Sequence, residues 1–480
     1  MASPRSIARS DRVFVNRDLR FSTIDWIGFD MDYTLAIYRQ ERMDTLSVEL
    51  TIERMIRRGY PAYLKNLTYD IRFPIRGLLV DKRYGHVLKM DRYKVVQRGY
   101  HGMRRLPHEE ITALYHDKRI RPHTPRYHWI DTLFALSEVT SYSAILDAME
   151  KKGEKLDYDK LFADVRASID EAHAEGAVYA TVTREIGAYI ERELELARTL
   201  HKLRSGGKRL FLLTNSPWSY TDQVMTHLLA DVMPEYPTWR HYFEFVICAA
   251  GKPRFFQDGR PLMERDGEVL RPVREKLERG KVYEGGNLEE FERLIGMRSS
   301  SVLYVGDHIY GDILRSKKES SWHTLMVIQE MDEEIAAYEA CADDLARQRA
   351  LDEARNKLED ELRYHQGRIK ELTRTPPAQP SPSAGVGEEE SERTRSKRAL
   401  ERVRGELRSL TSEYDMLAER ISQRFHPYWG PLLKEQNEMS SFGLQVDLYA
   451  DIYTRRVSCL RAYSPQQYFH SPYDLMPHEL

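Results

Sequence analysis

Asp30 and Asp32, in the stretch GFDMDYTLA (28–36), stand on alternate positions where an apolar run ends. That run holds Ile24, Trp26, Ile27 and Phe29, and it reads as a short buried strand closed by polar residues and a turn. Residues i and i+2 of a strand point to the same side, so an extended backbone carries both carboxylates into one small volume. Like charges that close repel unless something cationic sits between them. A divalent metal would serve, and open α/β sheets place their sites at strand carboxyl ends. Standing alone, the pair reads first as a solvated turn. The rest of the chain decides.

GDHIYGDI (306–313) places Asp307 and Asp312 at another strand end, in a tight turn bracketed by Gly306 and Gly311. Four carboxylates with one nearby lysine require a cation, and hard oxygen ligands select Mg²⁺. LLTNS (212–216) closes a strand with Thr214, Asn215 and Ser216. A hydroxyl, an amide and backbone N–H groups entering a helix suit phosphate oxygens, although the same residue types cap helices everywhere. Lys252, in AGKPRFF, follows the next strand. By itself it would be surface decoration. In DVRASIDEAHAEG, Arg166, Asp170 and His173 recur at i, i+4 and i+7 on one helix face, which alone would be a solvated, salt-bridged face.

Strand-like runs alternate with helical patterns from about residue 22 to 330, the α/β signature. The strands that matter are IDWIGFD, RLFLLTN (209–215), YFEFVIC (242–248) and SVLYVGD (301–307). Helical stretches such as TLFALSEVTSYSAILDAMEKK mark a mostly helical insertion. The expected division is a core at 12–104 and 206–331, split by a helical cap at 105–205. A hairpin at 332–426 follows, interrupted by a linker at 375–393, and a segment at 427–480 packs back on the core. Leu351, Leu358, Leu362, Ile369 and Leu372 keep heptad spacing, as do Leu400, Val403, Leu407, Leu410, Tyr414, Leu417 and Ile421. Between them, TPPAQPSPSAGVGEEESE reads as a flexible connector. Two apolar seams joined this way predict an antiparallel helical hairpin, which is either a packed pair or an oligomer contact.

The 480 residues are 41% hydrophobic with net charge −2, so nothing global favours a nucleic-acid polymer or an anionic membrane. No apolar run approaches the roughly 20 residues of a membrane span. MASPRSIARSDR lacks the apolar segment of a secretory signal and reads as a disordered tail. Cys248, Cys341 and Cys459 lie far apart without metal or disulfide spacing, which fits a reducing cytoplasm.

Asp-x-Asp-x-Thr, a strand ending in Thr and Ser, a lysine, then Gly-Asp with a further aspartate resembles the four-motif order of the haloacid dehalogenase superfamily. FVNRDLR, GFDMDYTLAIY, RGYP, FPIRGLLVD, FLLTNS, YTDQVMTHLL, KPRFF, YVGDHIYGDILRSKK and LMPHE resemble the cytosolic purine 5′-nucleotidases of the IMP/GMP-specific type. These stretches run in order from about residue 14 to 330 and resume near 440–478; the heptad hairpin and its linker match poorly. The resemblance implies a Rossmann-like haloacid dehalogenase core with a mostly helical cap, the hairpin being an addition. It also implies a soluble cytoplasmic homotetramer acting on purine nucleoside monophosphates, and phosphate transfer to other nucleosides.

The chemistry follows from the residues as well. Asp30 is expected to attack the 5′-phosphate and Asp32 to act as acid and then base. Mg²⁺ is expected on Asp30, Asp307, Asp312 and the backbone carbonyl of Asp32. Thr214, Asn215, Ser216 and Lys252 are expected around the phosphate. By resemblance, Arg166 and Asp170 match the family's purine-reading pair, while Phe134 and His173 flank the base. Tyr179 stands where the family often has lysine, Ala135 where it often has asparagine, and Leu448 where it has an effector-binding arginine near Gln445. Two alternatives stay open: a phosphatase for another phosphomonoester, and an idle scaffold acting through its hairpin.

Overall fold

The four apolar runs become neighbouring strands of one sheet. In the computed structural model, which describes residues 7–116, 120–257, 259–374 and 386–472, Val302–Gly306, Trp26–Phe29, Arg209–Leu213 and Phe245–Cys248 lie side by side and parallel. His323–Val327 and then Ile452–Thr454 extend the sheet in parallel on one side, and Val282–Gly285 does so on the other. Antiparallel strands finish both edges. Phe14–Val15 lies beyond Ile452–Thr454, and the Leu262–Asp266 and Val269–Pro272 hairpin lies beyond Val282–Gly285. Parallel strands need both faces covered, and Trp26–Phe29, Phe245–Cys248 and Val302–Gly306 are buried throughout. The architecture is mixed α/β.

Aromatic residues fill one face of this sheet: Trp26, Phe211, Phe245, Tyr304 and Trp322 belong to a single buried cluster. Gly28 lets two strands share it, since a Cβ there would stand 2.2 Å from the Phe211 ring. The C-terminal segment contributes to the sheet itself. Tyr453 stacks on Phe14 at 5.2 Å, and Tyr463 accepts the Val13 N–H at 2.9 Å. The LMPHE stretch (475–479) lies outside the described residues, as does the first half of the N-terminal dodecapeptide.

A second sheet is the main departure from the pattern reading. Arg104–Arg105, Val96–His101, His86–Met90, Leu78–Asp81 and Tyr127–Ile130 pair in that order, all antiparallel. It crosses the expected boundary at 104/105, and Tyr127–Ile130 is a strand within the stretch expected to be mostly helical. Buried polar residues hide its alternation. Lys89 is buried against Glu435 at 2.8 Å, and His86 meets the Tyr115 hydroxyl at 2.8 Å. Helices occupy most of the remainder, at His108–Tyr115, Leu136–Lys151, Tyr158–Ala174, Ala177–Arg184 and Leu194–Ser205, with a short strand at Ile190–Glu191.

Residues 333–431 form a separate compact unit. Its helices Ala342–Arg374 and Val386–Phe425 share a seam of Leu351, Leu417 and Ile421, flanked by Leu345, Leu410 and Tyr414. Ion pairs fix their direction: Arg420 with Asp344, Arg347 with Glu413, Arg402 with Glu361 and Arg368 with Glu392. As one number rises the other falls, so the helices run antiparallel. Residues 375–385 of the expected linker lie outside the described residues, and from Val386 the chain is already helical. No helix among the described residues is long and apolar enough to cross a membrane. The three cysteines are buried and unpaired.

Candidate active site

Three neighbouring strand ends build the site. Asp30 follows Trp26–Phe29, with its backbone N–H donating to Val305 O at 2.9 Å. Asp307 follows Val302–Gly306, and Asp312 returns on the next helical turn, Ile309–Leu314. Gly306 makes room for this return, because a Cβ there would stand 2.6 Å from the Asp312 carboxylate. Each of Asp30, Asp307 and Asp312 offers a carboxylate oxygen, and these atoms lie within 4.8 Å of one another.

Burial makes this cluster costly. It pushes the Asp30 carboxyl well above its ordinary range, against the pull of Lys252 and with help from Asp312, Asp32 and Asp307. Burial likewise pushes Asp307 up to about 7, against the Arg76 guanidinium. Asp307 Oδ2 is buried with no hydrogen bond among the described residues, and Arg76 Nη1 stands 4.0 Å away. An orphaned carboxylate oxygen among three acids fits a hard divalent cation.

Lys252 enters the cluster from the loop after Phe245–Cys248. Its ammonium lies 2.8 Å from Asp30 Oδ1, 2.7 Å from Asp312 Oδ1 and 2.9 Å from the Tyr304 hydroxyl. Burial opposes its charge, but Asp30 and Asp312 overcome that and hold its pKa well above the usual lysine value. Asn215 sets the loop: its Nδ2 donates to Lys252 O at 2.9 Å, and its Oδ1 accepts the Lys252 N–H at 2.6 Å. The side-chain amide expected at the phosphate is thus engaged with the loop. Thr214 Oγ1, fully buried, accepts the Ser216 N–H at 3.1 Å.

Asp32 faces a different environment. Tyr38 donates to its Oδ1 and Ser216 to its Oδ2, both at 2.6 Å. Burial raises the Asp32 pKa, and these two hydrogen bonds offset part of the rise. Its side chain is therefore held apart from the three clustered acids. Beside it opens a cavity of about 230 Å³ lined by Tyr38, Phe134, His173, Tyr179, Ser216 and Tyr220, among others. Phe134 and His173 meet edge to face at 6.2 Å. Burial lowers the His173 pKa, against the pull of Asp170 and Glu138, and so favours the neutral imidazole.

Arg166 and Asp170 are not among the residues lining this cavity. Arg166 is paired with Glu138, its contact to Asp170 is 3.7 Å, and the Asp170 side chain is 68% exposed. Four site residues escaped the pattern reading. Arg76 is fully buried, donating to Asp307 O at 2.7 Å and gripping both oxygens of Glu330. Tyr38 and Tyr304 sit in apolar stretches where tyrosine reads as core, and Tyr220 sits among the polar residues of SYTDQ, where nothing local marks it. Period-2 spacing does place Tyr304 on the same side of its strand as Gly306, a signal visible only once the site is known.

The comparisons agree with this geometry. A family model described as the 5′ nucleotidase family matches residues 13–480. The chain is 32% identical over 351 residues to 5′-nucleotidase domain-containing protein 2 of Rattus norvegicus, covering 69% of this chain and 61% of that protein. It is 27% identical over 486 residues to a 5′-nucleotidase domain-containing protein of Dictyostelium discoideum, covering 97% of this chain and 74% of that one. With a family model running almost end to end, the chain belongs to the 5′-nucleotidase family.

Proposed function

We propose that the chain is a Mg²⁺-dependent 5′-nucleotidase that hydrolyses purine nucleoside 5′-monophosphates, IMP and GMP preferred, on a haloacid dehalogenase core with a capping insertion. One observation carries the reading: Asp30 shares a buried cluster with Asp307, Asp312 and Lys252, while Asp32 lines an aromatic cavity beside it. Asp30, Asp307 and Asp312 would hold Mg²⁺, together with the Asp32 backbone carbonyl. The ion when bound screens carboxylate from phosphate and offsets charge on the transferring oxygens.

The chain's own groups do the rest. Asp30 Oδ1 accepts from Met31 N–H and from Lys252, which leaves Oδ2 to attack phosphorus. As the Asp30–phosphorus bond forms and the bond to the ester oxygen breaks, Asp32 gives that oxygen a proton. Asp32 then takes a proton from water. The water oxygen bonds phosphorus, the Asp30–phosphorus bond breaks, and free phosphate leaves. A nucleoside hydroxyl in place of water would give phosphate transfer. Lys252 steadies the charge of the transferring group, and Asn215 acts through the loop it holds.

Phe134 and the neutral His173 would flank the base. Purine reading then requires Arg166 to exchange Glu138 for the base edge as substrate enters. The outlying positions of Arg166 and Asp170 favour a second reading, a phosphatase for another small phosphomonoester. A panel of nucleoside monophosphates and sugar phosphates, with and without Mg²⁺, separates these. Metal-dependent phosphate release greatest from IMP and GMP is expected. Release from sugar phosphates alone would favour the second reading, and release from none would end both.

A further inference from the structure

We propose that Tyr38 is a positioning residue for the Asp32 carboxyl, with Tyr220 fixing the Tyr38 hydroxyl in turn; this rests on the reading of Asp32 as the acid of a phosphatase. The Tyr38 hydroxyl lies 2.6 Å from Asp32 Oδ1 and 2.8 Å from the Tyr220 hydroxyl. When Asp32 is ionised, Tyr38 donates to it and accepts from Tyr220; when Asp32 holds its proton, the Tyr38–Tyr220 bond can run in either direction. Ser216 occupies the other carboxyl oxygen at 2.6 Å. The carboxyl is thereby held on both sides, its rotation set by groups from separate elements.

Each support is itself immobilised. Tyr38 lies in the short strand Ile37–Tyr38, which pairs with Ile190–Glu191. Its ring packs against Tyr33 at 4.8 Å and Phe134 at 6.0 Å. Tyr220 projects from the first turn of the helix Trp218–Leu229, three residues after Pro217 at its N-cap position, and its ring lies 4.6 Å from Tyr179. Asp32, Tyr38, Ser216 and Tyr220 all border the cavity in which this reading seats the ester oxygen. Hydroxyls both donate and accept, so this bracket suits a carboxyl that gives a proton to the departing oxygen and takes one from water. A general acid acts only in the right geometry, and small displacements of such groups cost large factors in rate.

A merely structural hydrogen bond predicts something different from a positioning one. Help from an acid matters most when the departing oxygen is basic, so its misplacement hurts poor leaving groups more. Tyr38→Phe is therefore expected to lower kcat/KM, which reports the step in which the ester oxygen departs, at least about tenfold more with phenyl phosphate than with p-nitrophenyl phosphate. Tyr220→Phe should act in the same direction and less strongly, and it decides the matter should Tyr38→Phe not fold. Equal losses on the two esters, or no loss, would overturn the proposal. Neither ester carries a base, so a wild-type protein that cleaves them and no nucleotide fails the nucleotidase reading alone, and the ratio still decides the role of Tyr38. A wild-type protein that cleaves neither the esters nor any nucleotide overturns both.

Discussion

Asn215 grips the backbone of Lys252 twice, donating to its carbonyl at 2.9 Å and accepting its N–H at 2.6 Å. One strand end thus fixes the loop of the next, and the loop delivers the ammonium to Asp30 and Asp312. Asn215→Ala should leave the sheet intact and lower kcat about tenfold to a hundredfold by freeing Lys252. Steady-state kinetics beside a melting curve check it. Unchanged kcat would mean that the loop holds itself.

Asp30→Asn should abolish turnover, because an amide is no nucleophile for phosphorus. A residual kcat above about a thousandth of wild type would rule out covalent catalysis at this residue. Acid-quenched labelling should show phosphate on the wild-type chain and none on the variant.

Gly306→Ala puts a methyl group 2.6 Å from the Asp312 carboxylate. The chain should still fold, with about 1–3 kcal/mol lost to overpacking. The Mg²⁺ concentration for half-maximal activity should rise, and calorimetric titration with Mg²⁺ should show weaker binding. Wild-type affinity would place the metal elsewhere.

Burial pushes the Asp44 carboxyl up to about 7, with the Gln40 hydrogen bond pulling the other way. The folded chain therefore keeps a proton that the unfolded chain has released once pH exceeds about 4. Stability falls as pH climbs from there to about 7 and stays reduced above it. Asp44→Asn should flatten that slope and be the more stable protein at pH 8, by no more than about 4 kcal/mol. Denaturant melts at pH 5 and pH 8 measure the difference.

Hypoxanthine and guanine present an N1–H donor beside an O6 acceptor, which an aspartate and an arginine complement; adenine presents the reverse. A base seated against Asp170 would bury a contact that is exposed in its absence, and a mismatch there costs about 1–3 kcal/mol, so Asp170→Ala should lower kcat/KM for IMP roughly tenfold to a hundredfold. p-Nitrophenyl phosphate has no such edge and should respond little. Equal losses on both would remove Asp170 from base reading.

The sequence by itself determined the strands whose ends carry chemistry. Asp30, Thr214 and Asp307 each close an apolar run, because a strand buried on both faces must be apolar until it reaches the sheet's edge. Heptad spacing likewise announced the paired helices, since it repeats locally. Tertiary structure alone decided who meets whom. Asn215 finds Lys252 across 37 residues, Ser216 finds Asp32 across 184, and Arg76 finds Asp307 across 231. The sheet at 78–130 stayed hidden for the same reason: His86 and Lys89 are buried only because Tyr115 and Glu435 arrive to satisfy them. Pattern reading sees a residue's own polarity, and a polar side chain becomes core or catalyst only when a distant partner supplies its hydrogen bond.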